Sequence, residues 1–140
     1  MTSRFRGVPV RSVMDGNVVT ITPDTSIDNM VRDLFLRQGR RAAPVVVDGQ
    51  VVGIATLSDV KEVASDAWAI TPVKDIMTQT PLHTVTTADD LNAALALLAK
   101  HGLNQLIVLE EGRLVGMVGR ADIIRYLQFT EQFGVRPLEQ

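Results

Sequence analysis

A seven-residue motif that occurs twice constrains this chain more than any other feature. Residues 53–59 read Gly-Ile-Ala-Thr-Leu-Ser-Asp, and residues 116–122 read Gly-Met-Val-Gly-Arg-Ala-Asp, at an offset of 63 positions. In both copies a Gly permits close approach of another backbone, and the final Asp opens an amphipathic stretch. A strand that runs into a helix start is a common place to hold a nucleotide, because helix-start N–H groups face phosphates and carboxylates accept from ribose hydroxyls. We therefore expect two copies of one structural unit.

Each copy also carries a first strand and a first helix of the same kind. Short β-rich runs meet polar helix-start residues at 18–21 and 82–85. Apolar residues then recur at i, i+3, i+4, i+7 and i+8 from Ile27 and again from Leu91, which predicts one amphipathic helix per copy. Glycines 39 and 102 stand where a left-handed residue would end each helix. The first helix is one residue longer, since the offset between the copies falls from 64 to 63 within it.

Two apolar runs joined by a tight turn follow each helix. Asp48-Gly49 joins them in the first copy, a pair that favours a two-residue hairpin, and the Glu-Glu-Gly of 110–112 takes that place in the second. The runs are continuously apolar, so both faces of these strands are expected to be covered. A second helix is expected to begin at Asp59 and at Asp122. The predicted fold class is α/β in layers (α+β), with two β-α-β-β-α repeats.

The composition excludes several classes of function. The 140 residues carry a formal net charge of −2, which provides no strong field for nucleic acid or an anionic membrane surface. There is no Cys, so disulfides and thiolate metal sites are excluded. The first seven residues lack the apolar core of a signal peptide, and the apolar runs at 42–47 and 93–99 are too short to span a bilayer. We therefore expect a cytoplasmic chain that does not insert into a membrane.

The two copies closely resemble CBS domains, a family called after cystathionine β-synthase. The family pattern is a Pro-Val-Val strand followed by Gly-hydrophobic-x-Thr/Ser-x-x-Asp. Residues 43–46 and 53–59 match it well, whereas 106–108 and 116–122 match it less fully. The resemblance covers 8–128 and divides the chain into four parts. These are an N-terminal lead-in (1–7), a first repeat (8–67), a second repeat (68–128) and a C-terminal tail (129–140).

This resemblance implies a regulatory module without chemistry of its own. The two repeats would pack with pseudo-twofold symmetry, and modules would pair again as homodimers. The clefts between the repeats would bind AMP, ADP, ATP or S-adenosylmethionine as regulatory ligands, with no obligatory cofactor. Ligand binding would then be passed to a fused or partner enzyme or membrane protein. The alternative is a structural dimerisation scaffold whose clefts are degenerate and empty.

A finer and weaker resemblance points to one kind of parent protein. The stretches 5–14, 40–45 and 71–77 are similar to the CBS pair appended to bacterial membrane zinc metalloproteases of the site-2 protease type. It implies a regulatory domain on the cytoplasmic side of the membrane. The His-Glu-x-x-His motif of such proteases is absent, so this chain by itself is expected not to be an enzyme.

The family's ligand-binding positions carry over onto two groups of residues. For the first cleft they are Thr56, Ser58, Asp59, Leu82, His83, Thr84, Asn104 and Gln105. For the second cleft they are Val19, Thr20, Ile21, Arg41, Ala42, Ala43, Arg120 and Asp122. No catalytic residue is expected, and no metal site either, since nothing stands at useful spacing from His83 or His101.

Several of these positions have a purely structural alternative. Ser58 or Asp59 could cap the helix, with Glu62 completing a capping box. Thr56 could be only a strand hydroxyl rather than a phosphate contact. In the second copy Gly119 replaces the Thr/Ser of the pattern. Arg120 and the Arg40–Arg41 pair could compensate through phosphate contacts or could be solvated surface, the second alternative being favoured for Arg40. His101 fits a cation at a helix C-terminus.

Overall fold

Two units make up the fold, and one of them is assembled from separate stretches of chain. The computed structural model describes residues 7–79 and 81–133, so most of the predicted lead-in and the end of the predicted tail lie outside it. Residues 19–82 form one unit, here the continuous unit, and 1–18 join 83–140 in the other, here the split unit. The predicted first repeat, 8–67, therefore contributes its beginning to the split unit.

Hydrogen bonds explain this exchange of segments. In the split unit Val10 N–H donates to the Asp89 carbonyl (2.8 Å) and Leu91 N–H donates to the Val8 carbonyl (2.8 Å). In the continuous unit Val73 N–H donates to the Thr25 carbonyl (2.8 Å). Val8, Val10 and Val73 are also fully buried. The beginning of the predicted first repeat therefore completes the split unit, and the beginning of the predicted second repeat completes the continuous unit. We call these two stretches the lead segments.

The continuous unit contains a two-stranded sheet, a helix that passes from α into π geometry, a second short helix and two 3₁₀ turns. Its elements are α1 (Ile27–Asn29), a π-helix (Met30–Leu36), β1 (Ala42–Val47), β2 (Gln50–Thr56), α2 (Leu57–Val60) and 3₁₀ turns at Ser65–Ala67 and Val73–Asp75. β1 and β2 are antiparallel, and Ile21 forms a parallel bridge to Val45. The predicted strand at 18–21 is thus reduced to a single bridge. Helix, sheet and Trp68 enclose one apolar core.

The π-helix accounts for the extra residue that the repeat offset detects. Arg37 N–H donates to the Arg32 carbonyl, five residues back, at 3.1 Å. This wider turn takes up one more residue than an α-turn without ending the helix. The apolar stripe stays on the core side, because Met30, Val31, Leu34 and Phe35 are all buried.

The split unit repeats the plan with longer helices. Its elements are a 3₁₀ turn at Val10–Ser12, β3 (Thr84–Thr86), α3 (Leu91–His101), β4 (Gln105–Glu110), β5 (Arg113–Gly119) and α4 (Arg120–Phe133). The sheet order is β3-β4-β5, with β3 parallel and β5 antiparallel to β4. α4 runs past residue 128, so the first part of the predicted tail is helical. No helix in 7–79 or 81–133 is long and apolar enough to cross a membrane.

Both hairpins use the predicted turn chemistry. Asp48 and Gly49 have φ of 50° and 78°, and Glu111 and Gly112 have φ of 52° and 78°. Two successive positive φ angles define the type I′ turn that matches strand twist. Glu110 belongs to β4, so the second turn has two residues rather than the expected three. Gly102 ends α3 in the left-handed conformation, and Gly39 has a φ of 67° after the π-helix.

The first glycine of each motif permits a close backbone approach, as its position predicted. A Cβ on Gly53 would lie 2.6 Å from Met77 Sδ and 3.0 Å from the Thr78 carbonyl oxygen, and Gly116 is equally crowded by Met14 and Asp15. Ile54 exchanges backbone hydrogen bonds with Thr78 in an antiparallel bridge. Each lead segment therefore packs directly against the second strand of the hairpin in the unit that it completes.

Candidate functional site

The strand-to-helix turn of the continuous unit brings several predicted site residues to one edge. Antiparallel pairing places Ala42 opposite Thr56, where β1 begins and β2 ends. Leu57 N–H donates to the Arg41 carbonyl at 3.0 Å, which fixes the first turn of α2 beside the start of β1. Arg41 and Ser58 are exposed, and Thr56 and Asp59 are half-buried. This group, Arg41, Thr56, Ser58 and Asp59, is called the Asp59 edge.

A capping box holds Thr56 and Asp59 together. Thr56 N–H donates to Asp59 Oδ2 at 2.9 Å, and Asp59 N–H donates to Thr56 Oγ1 at 3.3 Å. The cap is thus Thr56, and α2 begins at Leu57 rather than at Asp59. The suggestion that Ser58 or Asp59 caps the helix, with Glu62 completing the box, is wrong. Within the described ranges no residue donates to Asp59 Oδ1, and the Thr56 hydroxyl proton stays available to a ligand.

The other predicted residues of this unit have apolar side chains, with the exception of Thr20. Ile21, Ala42 and Ala43 are 8 %, 8 % and 0 % exposed, so their side chains belong to the interior. Ile21 also uses its N–H and carbonyl on Pro44 and Val46. Val19 packs against the same core, Thr20 is exposed and Leu82 is half-buried.

The split unit has an equivalent edge built around Asp122. Gln105 pairs with Gly119, and Arg120 N–H donates to the Asn104 carbonyl at 3.1 Å. Gly119 N–H donates to Asp122 Oδ2 at 2.8 Å, so this Asp also secures the start of its helix. α4 accordingly begins at Arg120, two residues before the predicted start. We call Asn104, Gln105, Arg120 and Asp122 the Asp122 edge.

Asp122 differs from Asp59 in its second oxygen. Arg125 Nη2 donates to Asp122 Oδ1 at 2.7 Å, in an ion pair whose carboxylate side chain is 16 % exposed. Glu62 stands at the corresponding position of the first copy. Sequence reasoning missed Arg125, although an Arg three residues after an Asp on a helix is a readable signal. A ligand would therefore compete with Arg125 for Asp122, whereas Asp59 has no such competitor in the described chain.

Gly119 lacks a side chain for a steric reason. A Cβ at this position would lie 2.5 Å from the Asn104 carbonyl oxygen and 3.0 Å from Gln105 Cγ. That carbonyl already accepts from Arg120 N–H, so it has no freedom to withdraw. The hydroxyl that the family pattern would supply here is thus replaced by a close backbone contact.

Arg120 is anchored to the end of α3. Its Nε donates to the Leu103 carbonyl at 3.1 Å and its Nη2 lies 3.5 Å from the Leu98 carbonyl. These carbonyls end the helix, where a cation is favourable. Nη1 is the nitrogen left to reach a phosphate without breaking these contacts.

His83 and His101 form a stacked pair in the split unit. Their ring centroids lie 3.8 Å apart with planes at 21°. Desolvation, followed by the neighbouring His83 and Lys100, lowers the pKa of His101 below its ordinary 6.5. These effects disfavour the charged form of His101, which its place at the end of α3 would otherwise favour. No group of three metal-ligating side chains occurs in the part of the chain that is described.

The structure brings together the residues of each edge. The residues that were predicted to form each cleft, however, come from both units. Thr56, Ser58, Asp59 and Leu82 belong to the continuous unit, whereas His83, Thr84, Asn104 and Gln105 belong to the split unit. The second group divides in the same way, with Arg120 and Asp122 in the split unit. The grouping of residues across the units stays a prediction.

Three curated relatives match most of this chain. It is 30 % identical over 120 residues to MJ1225 of Methanocaldococcus jannaschii, covering 85 % of this chain and 42 % of that protein. It is 25 % identical over 127 residues to zinc metalloprotease MJ0392 of the same organism (91 % and 34 %). A Mycobacterium tuberculosis protein that bears the name zinc metalloprotease Rip3 is 30 % identical over 128 residues (88 % and 32 %). The chain thus spans less than half the length of these relatives.

Solved structures with the same fold include ligand complexes. The CBS domain pair of MJ0100 with 5-methylthioadenosine and S-adenosyl-L-methionine has a TM-score of 0.77 at 21 % identity, covering 88 % of this chain and 98 % of that one. CBSX2 with AMP has a TM-score of 0.78 at 24 % identity (89 % and 99 %). A protein from Pyrococcus horikoshii has a TM-score of 0.76 at 25 % identity (100 % and 99 %).

The family itself is shown by a direct match. The protein-family model described as CBS domain matches residues 10–66 and again residues 73–129, which together include both motifs. This confirms the predicted tandem repeat and α+β fold class, and with them the expectation of a non-catalytic module. The chain belongs to the CBS domain family and contains two CBS domains in tandem.

Proposed function

We propose that this chain is a regulatory module that binds an adenine nucleotide or S-adenosylmethionine and passes the binding event to a fused or partner protein. The Asp59 edge carries the proposal. It offers one free carboxylate oxygen for ribose hydroxyls, and the Thr56 hydroxyl proton for a phosphate oxygen, on residues that their own capping box holds in place. Complexes of MJ0100 and CBSX2 with adenosine compounds support the ligand class.

The Asp122 edge is proposed as the weaker of the two. Its carboxylate is paired with Arg125, and Arg120 is held by the end of α3. The remaining polar groups of this unit would come from four residues that the family pattern assigned to the first cleft, namely His83, Thr84, Asn104 and Gln105. Binding here would require rearrangement, which subtracts from affinity.

The substitution Asp59→Asn tests the proposal. Asn retains an oxygen that accepts from Thr56 N–H, so the helix cap is preserved, but it loses the second carboxylate acceptor and the charge. We expect AMP affinity, measured by isothermal titration calorimetry, to fall about tenfold or more, because a hydrogen bond to a charged group contributes roughly 1.5–3 kcal/mol. ADP, ATP and S-adenosylmethionine complete the ligand series.

Asp33→Asn is the matched control. Asp33 is an exposed acid on the π-helix that pairs with Arg37 at 3.4 Å. Its substitution removes the same charge as Asp59→Asn, but outside the Asp59 edge. AMP binding should be unchanged in this variant. Unaltered binding by Asp59→Asn would disprove the role of Asp59, and absence of binding by the unsubstituted protein at millimolar ligand would disprove the proposed function.

The mode of action would be a shift between conformations. A ligand changes such an equilibrium only by its differential affinity for the two states, about 1.4 kcal/mol for each tenfold preference. The similarity to MJ0392 and Rip3 supports a membrane zinc metalloprotease as the parent protein, and a position on the cytoplasmic side belongs to that proposal.

A second candidate function, the dimerisation scaffold, is supported by α4. Ile124, Phe129 and Phe133 are 53 %, 54 % and 62 % exposed, and the two Phe rings contact each other in a tilted arrangement with centroids 5.0 Å apart. A helix with this much exposed apolar surface is suited to packing against a second copy. Homodimer formation is part of both candidates.

Charge introduced into α4 should therefore weaken self-association. We expect Ile124→Asp to raise the dissociation constant of a homodimer at least tenfold in analytical ultracentrifugation, because it buries an unpaired carboxylate. Leu36→Asp, at a residue 75 % exposed in the continuous unit, is the control. Equal sedimentation of both variants and the unsubstituted chain would count against α4 as the dimer surface.

A further inference from the structure

The stack of His83 on His101 lies at the end of the split unit that also holds the Asp122 edge. β3 and β4 are parallel, so His83, directly before β3, lies level with the beginning of β4. β4 begins opposite Gly119, the last residue of β5. His101 ends α3, and Arg120 binds carbonyls of the same helix end. The imidazole pair and the predicted ligand-binding residues therefore share one end of one sheet.

Several basic side chains lie at this end of the split unit. Lys100 neighbours His101 on α3, and the Arg120 guanidinium is hydrogen-bonded to the Leu98 and Leu103 carbonyls. The Asp122 carboxylate is already paired with Arg125 on α4. A second proton on two stacked rings would add like charge at short distance, so double protonation of the stack is disfavoured.

These surroundings disfavour the charged form of His101 when no anion is present. The pKa of His101 lies below its ordinary value because of desolvation and of the charges on His83 and Lys100. The unfolded chain therefore binds this proton more readily than the folded one, and the split unit loses stability as pH falls through and below 6.5. An anion bound beside the rings would offset the effects that lower the pKa of His101 and would favour protonation of one ring.

We infer that His101 is a positioning residue that holds the His83 ring at the Asp122 edge, and that the pair takes up one proton when a phosphate-bearing ligand binds there. The inference rests on the proposed function, since it assigns part of the binding site. The proton comes from solvent and resides on a ring nitrogen of the pair. Nucleotide binding then becomes tighter as pH falls, and an uncharged nucleoside does not share this dependence.

Calorimetry with AMP and adenosine tests the inference on the whole chain. Titrations at pH 6.0 and 7.5, in two buffers of different ionisation enthalpy, count the protons taken up on binding. His101→Phe keeps a ring for stacking but cannot be protonated, and comparison with it cancels the protonation of AMP itself. We expect AMP binding to tighten from pH 7.5 to 6.0 by about threefold more in the unsubstituted chain than in His101→Phe, within the limit of tenfold per pH unit for one proton.

Titration of the imidazole resonances by NMR, without ligand, tests the pair independently. His101 should titrate below 6.5 in the unsubstituted chain and at a higher pH in His83→Ala, because a like-charged neighbour and a covering ring are removed. Equal proton uptake by the unsubstituted chain and His101→Phe would overturn the inference while the proposed function stood. Unchanged titration of His101 in His83→Ala would also overturn it. Failure of AMP to bind at either pH would overturn the proposed function and this inference together.

Discussion

Met30→Ala is expected to lower the free energy of unfolding of the continuous unit by about 2–5 kcal/mol, the usual range for truncating a buried Met. Met30 is 0 % exposed and lies at the beginning of the π-helix, among Ile27, Leu34 and other core residues. Truncation of this side chain leaves a cavity. The continuous unit has one short sheet, so few neighbouring side chains could move in to fill it. Trp68, the single Trp of the chain, packs against this core, so its fluorescence during urea denaturation reports the unit directly.

Leu36→Ala provides the matched control for this experiment. Leu36 ends the same π-helix but is 75 % exposed, so its truncation should change the unfolding free energy by less than about 0.5 kcal/mol. Equal effects of the two substitutions would contradict the assigned burial of the helix. A small effect of Met30→Ala alone would mean that the core repacks around the cavity.

Gly119→Thr, which restores the family pattern in the second motif, is expected to destabilise the split unit rather than improve its ligand binding. The new Cβ would lie 2.5 Å from the Asn104 carbonyl oxygen, and relief requires that carbonyl to move away from Arg120 N–H. Overpacking of this kind costs about 1–3 kcal/mol, and the lost backbone hydrogen bond adds roughly 1 kcal/mol. The near-ultraviolet circular dichroism of Tyr126, buried in the split unit's core, follows the transition.

Gly16→Ala is the control in the same unit. A Cβ on Gly16 has its nearest neighbour, the Val115 carbonyl oxygen, at 3.9 Å, and Gly16 is not among the residues of positive φ. We expect a change within about 0.5 kcal/mol. If Gly119→Thr left stability unchanged and tightened AMP binding, the steric account of Gly119 would be wrong and the missing hydroxyl would be the decisive feature.

The elements that follow from local pattern were predictable. The apolar stripe from Ile27 is buried throughout, and the stripe from Leu91 is buried at Leu91, Ala94 and Leu98, whereas Ala99 at its end is exposed. Asp48-Gly49 forms the hairpin turn that its residues favour. The one-residue change of offset was visible in the sequence, but its form as a π-helix was not. The helix starts were placed two residues late, because the capping residue of α2 is the last residue of the preceding strand, Thr56.

The candidate site was predictable by position and only partly by chemistry. Thr56 and Asp59 lie together because they are three positions apart and a capping box joins them, which is a local effect. The contacts of Arg120 with Leu98 and Leu103, and of His83 with His101, join residues distant along the chain. Neither hydrophobic periodicity nor residue propensity predicts contacts between residues that are distant along the chain.

By itself, the sequence determined the repeat, its order of elements, its hairpin turns and the CBS family, because these depend on spacing over a few residues or on a motif that occurs twice. Tertiary structure alone decided which segment completes which unit and why Gly119 has no room for a hydroxyl. The physical reason is that these features arise from packing and hydrogen bonds between distant residues. The two motifs share their first Gly and last Asp but provide different chemistry, with Asp59 open to a ligand and Asp122 held by Arg125, a neighbour on its own helix.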